Sequence, residues 1–256
     1  MNSSTILAML CAKGIGRKKI LSVIKGDADI DISTQAKEHA KTIIDACDSS
    51  GISLLNYYEL PDSLKSINDP PVLLFVKGNK KLLYENVCDA IVGTRAPSEE
   101  GQINAKRVTQ SLVDRGRTIV SGLAIGVDTI AHRTCLEKSG QTIAVLPSPI
   151  DKIYPSVNRD LAGIIANNGC LISEYMPRTQ LQRYFFVQRD RLQAALSQNV
   201  YVIESSINDG TMHTANYAIN YGKELFCCSY SIKNERNEGN FYLLKDKAKE
   251  ININSV

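Results

Sequence analysis

Two short stretches carry residue types that could hold a phosphate: Val92-Gly93-Thr94-Arg95 and Ser121-Gly122-Leu123-Ala124-Ile125-Gly126-Val127-Asp128. Each ends an apolar run in glycine and small residues, as a buried parallel strand does where it hands over to a loop that a ligand can approach. Arg95, directly behind Gly93 and Thr94, adds a planar and permanently charged fork matched to phosphate oxygens. Alone, Gly-Thr-Arg also fits a plain strand-end turn with a surface arginine. Paired with Ser121, Gly122 and Gly126, it points to a ligand site, provided both loops meet at one edge of a sheet.

Other stretches add candidates. Asp209-Gly210-Thr211-Met212-His213-Thr214 resembles a helix start in which Gly210 permits close approach and Thr211 and Thr214 can cap free amides; a bare N-cap turn is the alternative. Arg189-Asp190-Arg191 is open to two readings, a salt-bridged latch or a phosphate site. Gln180 to Phe186 sets an arginine beside three aromatic residues, a composition that stacks bases or fills a core. The loop from Pro147 to Pro155 holds Lys152 and leads into Asn158 and Arg159. Near the start, Gly14-Ile15-Gly16 followed by Arg17, Lys18 and Lys19 has the pattern of a helix-hairpin-helix. Its glycines would let backbone N–H groups reach a phosphate, with the cations adding a salt-dependent attraction. Cations at a helix N-terminus oppose the macrodipole, which favours a functional reason, although such hairpins also serve as plain scaffolds.

Catalysis has weaker support. Acid–base work on a glycosidic bond wants a carboxylate in reach, and neither position after Met212 supplies one; His213 there fits capping or packing. Seven cysteines without a Cys-x-x-Cys pair, and three histidines, indicate neither zinc nor a disulfide framework. No metal and no cofactor is expected.

The elements that must position these residues follow from a beat of apolar strand and amphipathic helix running from Pro71 to Cys228. The strands are apolar throughout, not in alternation, which means an α/β fold with a mostly parallel sheet covered by helices on both faces. Right-handed crossovers then place every strand-to-helix loop on one edge. Helices are predicted from Glu38 to Ser49 and from Arg189 to Leu196, among others. Residues 1–62 read as a small helical domain and residues 63–256 as the α/β domain, with a proline-bearing linker around residues 60–70. The 256 residues, 43% hydrophobic and 22% charged, describe an ordinary globular protein. A net charge of +3 is too slight to imply nucleic-acid binding, so an anionic partner needs a local patch. With no leader and no apolar run near the roughly 20 residues of a spanning helix, a cytoplasmic protein without membrane contact is expected.

The runs Ile91 to Arg95, Ile119 to Asp128 with Ala131-His132, Ile143 to Leu146, Asp151 to Pro155, Ser173-Glu174-Tyr175 and Arg189 to Leu192 together resemble the DNA-processing protein A (DprA/Smf) family. So do Gly210 to Ala215 and Glu238-Gly239-Asn240, and the likeness covers about residues 65–248. It implies an extended Rossmann-like fold that binds single-stranded DNA, protects incoming strands during transformation and helps load a RecA-type recombinase, as a homodimer and without catalysis. On this sequence the family's DNA pocket would fall on Gly93, Thr94, Arg95, Ser121 and Gly122 and around Lys152, Asn158 and Arg159. The chain departs from the family pattern at Ile125, where arginine is usual, at Pro147-Ser148-Pro149, where a glycine-rich turn is usual, and at Asp190, where asparagine is usual. Ile125 removes a cation and Asp190 adds an anion. The winged-helix tail of many members is not expected within these residues. Two alternatives remain at this point: a nucleotide-binding enzyme or sensor akin to phosphoribohydrolases, and a scaffold that does not bind DNA.

Overall fold

The computed structural model describes residues 1–85 and 87–251; residues 252–256, the end of the expected second domain, lie outside the described residues. The chain opens with helices α1 (Ser3–Cys11), α2 (Arg17–Lys25) and α3 (Thr34–Ser49), then strand β1 (Ile52–Asn56), the short helix α4 (Asp62–Lys65), β2 (Leu73–Gly78) and the short α5 (Leu82–Glu85). There follow β3 (Cys88–Val92), α6 (Glu99–Asp114), β4 (Thr118–Ser121), α7 (Val127–Glu137), β5 (Thr142–Val145), α8 (Arg159–Asn168) and β6 (Cys170–Ser173). The last part comprises α9 (Arg183–Leu196), β7 (Asn199–Val202), α10 (Thr211–Asn220), β8 (Glu224–Cys227), α11 (Glu238–Leu243) and β9 (Lys249–Glu250).

The nine strands among the described residues form one sheet in the order β1-β2-β6-β5-β4-β3-β7-β8-β9. From β6 to β9 every pairing is parallel, and β1 and β2 add an antiparallel edge. The apolar runs have a direct cause. In β4, Val120 packs into the cluster with Leu192, Ala195 and Ala215 from α9 and α10, whereas its neighbour Ile119 packs into the one with Val108 and Ala131 from α6 and α7. Both faces are core, so no strand position can be polar without a partner.

Three boundaries differ from expectation. Ile52–Asn56, read in sequence as the tail of the helical unit, is a sheet strand, because Leu55 buries beside Leu74 while Asn56 pairs opposite Leu73. Helix α3 starts at Thr34, where Ser33 Oγ accepts the Ala36 amide at 3.3 Å. Helix α9 starts at Arg183, six residues before the expected Arg189, and so absorbs most of the aromatic run.

Candidate functional site

Strands β3 and β7 are parallel neighbours, yet their crossovers leave in opposite directions, β3 through α6 to β4 and β7 through α10 to β8. A crevice opens at such a switch point because the two loops part. Here it is a groove of about 430 Å³ walled by Gly93, Thr94 and Arg95 on one side and Gly210, Thr211 and Thr214 on the other. The two stretches singled out by sequence are in contact below it. The Val127 amide donates to Thr94 O at 3.2 Å, and a Cβ on Gly126, whose φ is +81°, would lie 2.4 Å from that same oxygen. Gly93 is equally closed in, its missing Cβ 2.6 Å from Val127 Cγ2. Glycine at 93 and 126 is therefore what lets these loops touch.

The floor is a buried polar cluster. Arg189, on α9, donates Nη1 to Gly122 O at 2.6 Å and to Val145 O at 2.7 Å, so it clamps the ends of β4 and β5. Its Nε donates to Asp190 Oδ1 at 3.0 Å. Asp128 Oδ2 accepts the Gly122 and Ala124 amides at 3.1 and 3.2 Å. Burial raises the pKa of both carboxyls, Arg189 opposing it in each case, and Asp190 is pushed up to about 6. The floor thus holds two acids against one base.

One anion seat is already taken. Glu204, 1% exposed, accepts the Ser98 amide at 2.7 Å and the Ser98 hydroxyl at 2.8 Å, placing its carboxylate on the N-terminus of α6. Gly101 has no room for a Cβ beside it. A ligand phosphate must look elsewhere.

Cations and rings line the rim instead. Arg95 is exposed, with its guanidinium 5.4 Å from the centre of the Phe186 ring, and Phe186 meets Tyr154 edge-on at 5.4 Å. Tyr154 borders a second hollow of about 270 Å³ that Lys152 and Arg159, both exposed, also line. A ledge therefore runs from Arg95 over Phe186 and Tyr154 to Lys152 and Arg159.

The other sequence candidates fall into place around it. Ser121 is buried, donating Oγ to Ile91 O at 2.8 Å. Asn158 is also buried; its Nδ2 donates to Leu123 O at 2.9 Å and Thr129 Oγ1 at 2.8 Å, which fixes the loop where Leu123 adopts φ 60°. It shapes the site from behind. Arg191, 1% exposed, faces away from the groove and holds Glu174 in two bonds of 2.8 and 2.7 Å, with Asp69 and Arg17 completing the cluster. Of the two readings for Arg189-Asp190-Arg191, the latch describes Arg191, while Arg189 and Asp190 line the groove. Thr211 and Thr214 do not cap α10; the turn is closed by the Met212 amide on Asp209 O and the His213 amide on Gly210 O. His213 is exposed and does not line the groove. In the aromatic run, Phe185 is core, stacked on Tyr175 at 3.8 Å, and Phe186 alone reaches the groove. Gly14, Gly16, Lys18 and Lys19 are exposed at the α1–α2 hairpin, whereas Arg17 turns inward to Asp69 and Glu174. Sequence did not single out Glu204 as a helix cap or Tyr154 as part of a ledge; the first signal available was a charged residue ending the apolar run of β7.

The match to known proteins is extensive. The family model described as DNA recombination-mediator protein A matches residues 52–255, starting at the first residue of β1. The DNA processing protein DprA of Streptococcus pneumoniae is 32% identical over 92% of this chain and 90% of its own. An X-ray structure of DNA processing protein A from that species superimposes with a TM-score of 0.85, covering 98% of this chain and 95% of the other. The Bacillus subtilis DNA processing protein DprA is 36% identical over 75% of this chain and 65% of its own. A Helicobacter pylori DNA processing protein A, whose structure concerns a single-stranded DNA binding mode, aligns with a TM-score of 0.73 at 34% identity over 80% of this chain and 93% of that one.

Proposed function

This chain belongs to the DNA recombination-mediator protein A family, and from that premise we propose that it binds single-stranded DNA along the Arg95 to Arg159 ledge and mediates recombination. The observation that carries the reading is the ledge itself: exposed cations at Arg95, Lys152 and Arg159 are interleaved with the rings of Phe186 and Tyr154. Cations track a phosphate backbone and ring faces stack unpaired bases, which is the combination a single strand needs and a duplex does not. The weak overall charge is no obstacle, since the positive groups are gathered where the strand would lie. Gly93, Thr94, Gly126, Gly210 and Thr211 shape the groove beside the ledge, Arg189, Ser121, Gly122 and Asn158 hold the loops, and the hairpin at Gly14, Gly16, Lys18 and Lys19 offers a second phosphate contact.

In this reading the protein is not an enzyme. His213 does not line the groove, and the Asp128 carboxylate is engaged by two backbone amides. The bound strand is passed to a RecA-type recombinase, and a homodimer lengthens the bound tract. The site of action is the cytoplasm, in keeping with the described residues, among which no helix is long and apolar enough to cross a membrane.

Fluorescence anisotropy with a labelled oligo-dT strand and its duplex, repeated across salt concentrations, tests the proposal. The strand should bind in preference to the duplex, with affinity falling steeply as salt rises. Arg95→Ala should weaken binding roughly tenfold and reduce the salt slope by about one, as loss of a phosphate contact does. Equal binding by Arg95→Ala and the parent would remove the ledge from consideration.

A further inference from the structure

The loop that carries Arg95 is short, Thr94 to Ser98, and both of its ends meet one residue. The Thr94 amide donates to Glu204 O at 2.7 Å. At the other end the Ser98 amide and hydroxyl donate to the Glu204 carboxylate at 2.7 and 2.8 Å. Between them the Ala96 amide turns back to Thr94 Oγ1 at 3.3 Å, and Pro97 fixes its own φ. Arg95 therefore stands on a backbone held on both flanks, with its guanidinium over the Phe186 ring.

A need for a helix cap does not account for Glu204. Ser98 already caps α6, its Oγ accepting the Gly101 amide at 3.0 Å, and Glu99 and Glu100 in the first turn answer the macrodipole. In an ordinary capping box the acid that accepts the amide of the cap residue is the third residue of the same helix. Here that position is Gly101, whose missing Cβ would lie 2.4 Å from Glu204 Oε2, and the acid comes instead from just past the end of β7. The substitution is a costly one, because the Glu204 carboxylate is buried and stands in no ion pair among the described residues. What it provides is a tie between the end of β7 and the start of α6, which a local acid would not make.

We propose that Glu204 is a positioning residue for single-strand binding: by closing the capping box of α6 from β7, it fixes the far end of the Thr94–Ser98 loop and holds Arg95 ready for a phosphate. The Thr94 end is tied through backbone, so the side chain governs the Ser98 end alone. With that end free, Arg95 loses its station over Phe186 and must be ordered anew for each strand that binds. The inference rests on the reading of the ledge as a single-strand site and adds to it a residue that touches no strand.

Anisotropy with labelled oligo-dT on three variants separates the tie from the cap. Glu204→Ala should bind roughly fivefold more weakly, within the coupling of residues that share one network, and its salt slope should fall by about one, as for Arg95→Ala. In the Arg95→Ala background the same change should weaken binding by less than about twofold, because the cation it positions is already gone. Gly101→Glu combined with Glu204→Ala returns the acid to the helix itself, in the space that the Glu204 side chain has left. Its urea midpoint should recover while its affinity stays low, and it serves in place of Glu204→Ala if that variant does not fold. Affinity that recovers together with the midpoint overturns the proposal, since a cap alone would then suffice, and so does an equal loss with and without Arg95. Parent-like binding by Glu204→Ala overturns it too and leaves the ledge intact. A parent that binds no strand, or Arg95→Ala binding as the parent does, removes the underlying reading instead.

Discussion

Two buried groups near the floor titrate in opposite senses. His132, fully buried, shares a 2.7 Å contact between Nδ1 and Thr142 Oγ1, and because that hydroxyl donates to Ile119 O at 2.9 Å, the hydrogen must sit on Nδ1. Nε2 is then a bare acceptor without a partner among the described residues, and burial, reinforced by the charge of Arg189, lowers the pKa from 6.5 to about 3. This group contributes stability that is complete above pH 6.5 and lost as pH falls towards 3. Asp190 runs the other way: raised from 3.8 to about 6, its protonated form stabilises the fold below 3.8, and that contribution is lost as pH rises through 6. Between about pH 4 and 6 the two slopes oppose each other, with the raised Asp128 on the side of Asp190. Asp190→Asn should therefore lose stability from pH 6 to pH 4 more steeply than the parent, by about 1 kcal/mol per pH unit. Urea midpoints at pH 4, 5, 6 and 7 measure this; parallel curves would mean that Asp190 takes up no proton there. Residue types alone do not reveal such roles. Arg189 and Arg191 stand two apart in sequence, yet one clamps strand ends under the groove and the other is locked to Glu174, because a helix turns them to different neighbours.

Among the elements, the contact of the β3 loop with the start of α7 is the joint that presents Arg95. Gly126→Ala would force a Cβ to within 2.4 Å of Thr94 O and 2.7 Å of Arg95 Cα at a positive φ. Backbone cannot yield as a flexible side chain would, so a loss of about 2 kcal/mol or more is expected, together with weaker binding of single-stranded DNA. Gly163, exposed in the interior of α8 with open space around it, gives the contrast: Gly163→Ala should stabilise by about 0.5–1 kcal/mol and leave DNA affinity alone. Thermal melts of both variants decide. The strand-and-helix beat was legible because strands buried on both faces read as unbroken apolar runs, and the two glycine loops because buried contacts at strand ends leave no room for side chains. The edges were not. Ile52–Asn56 has only five residues and β9 only two, so pairing partners far along the chain define both. Helix α9 was shortened in expectation since Gln182 offers no side-chain cap and Tyr184, Phe185 and Phe186 suit a strand as well as a helix.

At the scale of the molecule, the helical unit and the sheet share one core. Ile6, Leu7 and Ile20 belong to the same buried cluster as Val72, Phe75, Leu146 and Leu161, and Arg17 ties α2 to Asp69 and Glu174. Unfolding should therefore follow one transition by circular dichroism and by tyrosine fluorescence alike. A fragment beginning at residue 52, where the family match begins, should expose Val72 and Phe75 and bind a hydrophobic dye that the whole chain does not. The antiparallel edge has a bearing on biosynthesis as well. Strand β2 lies between β1 and β6, with Phe75 opposite Ser173. As the chain leaves the ribosome, everything up to Gly78 is made long before the strand it must lie against, and the apolar side of α1 and α3 waits with it. The residues up to Gly78 are made early and sealed late, so until Ser173 has cleared the exit tunnel their apolar faces stay open to a chaperone.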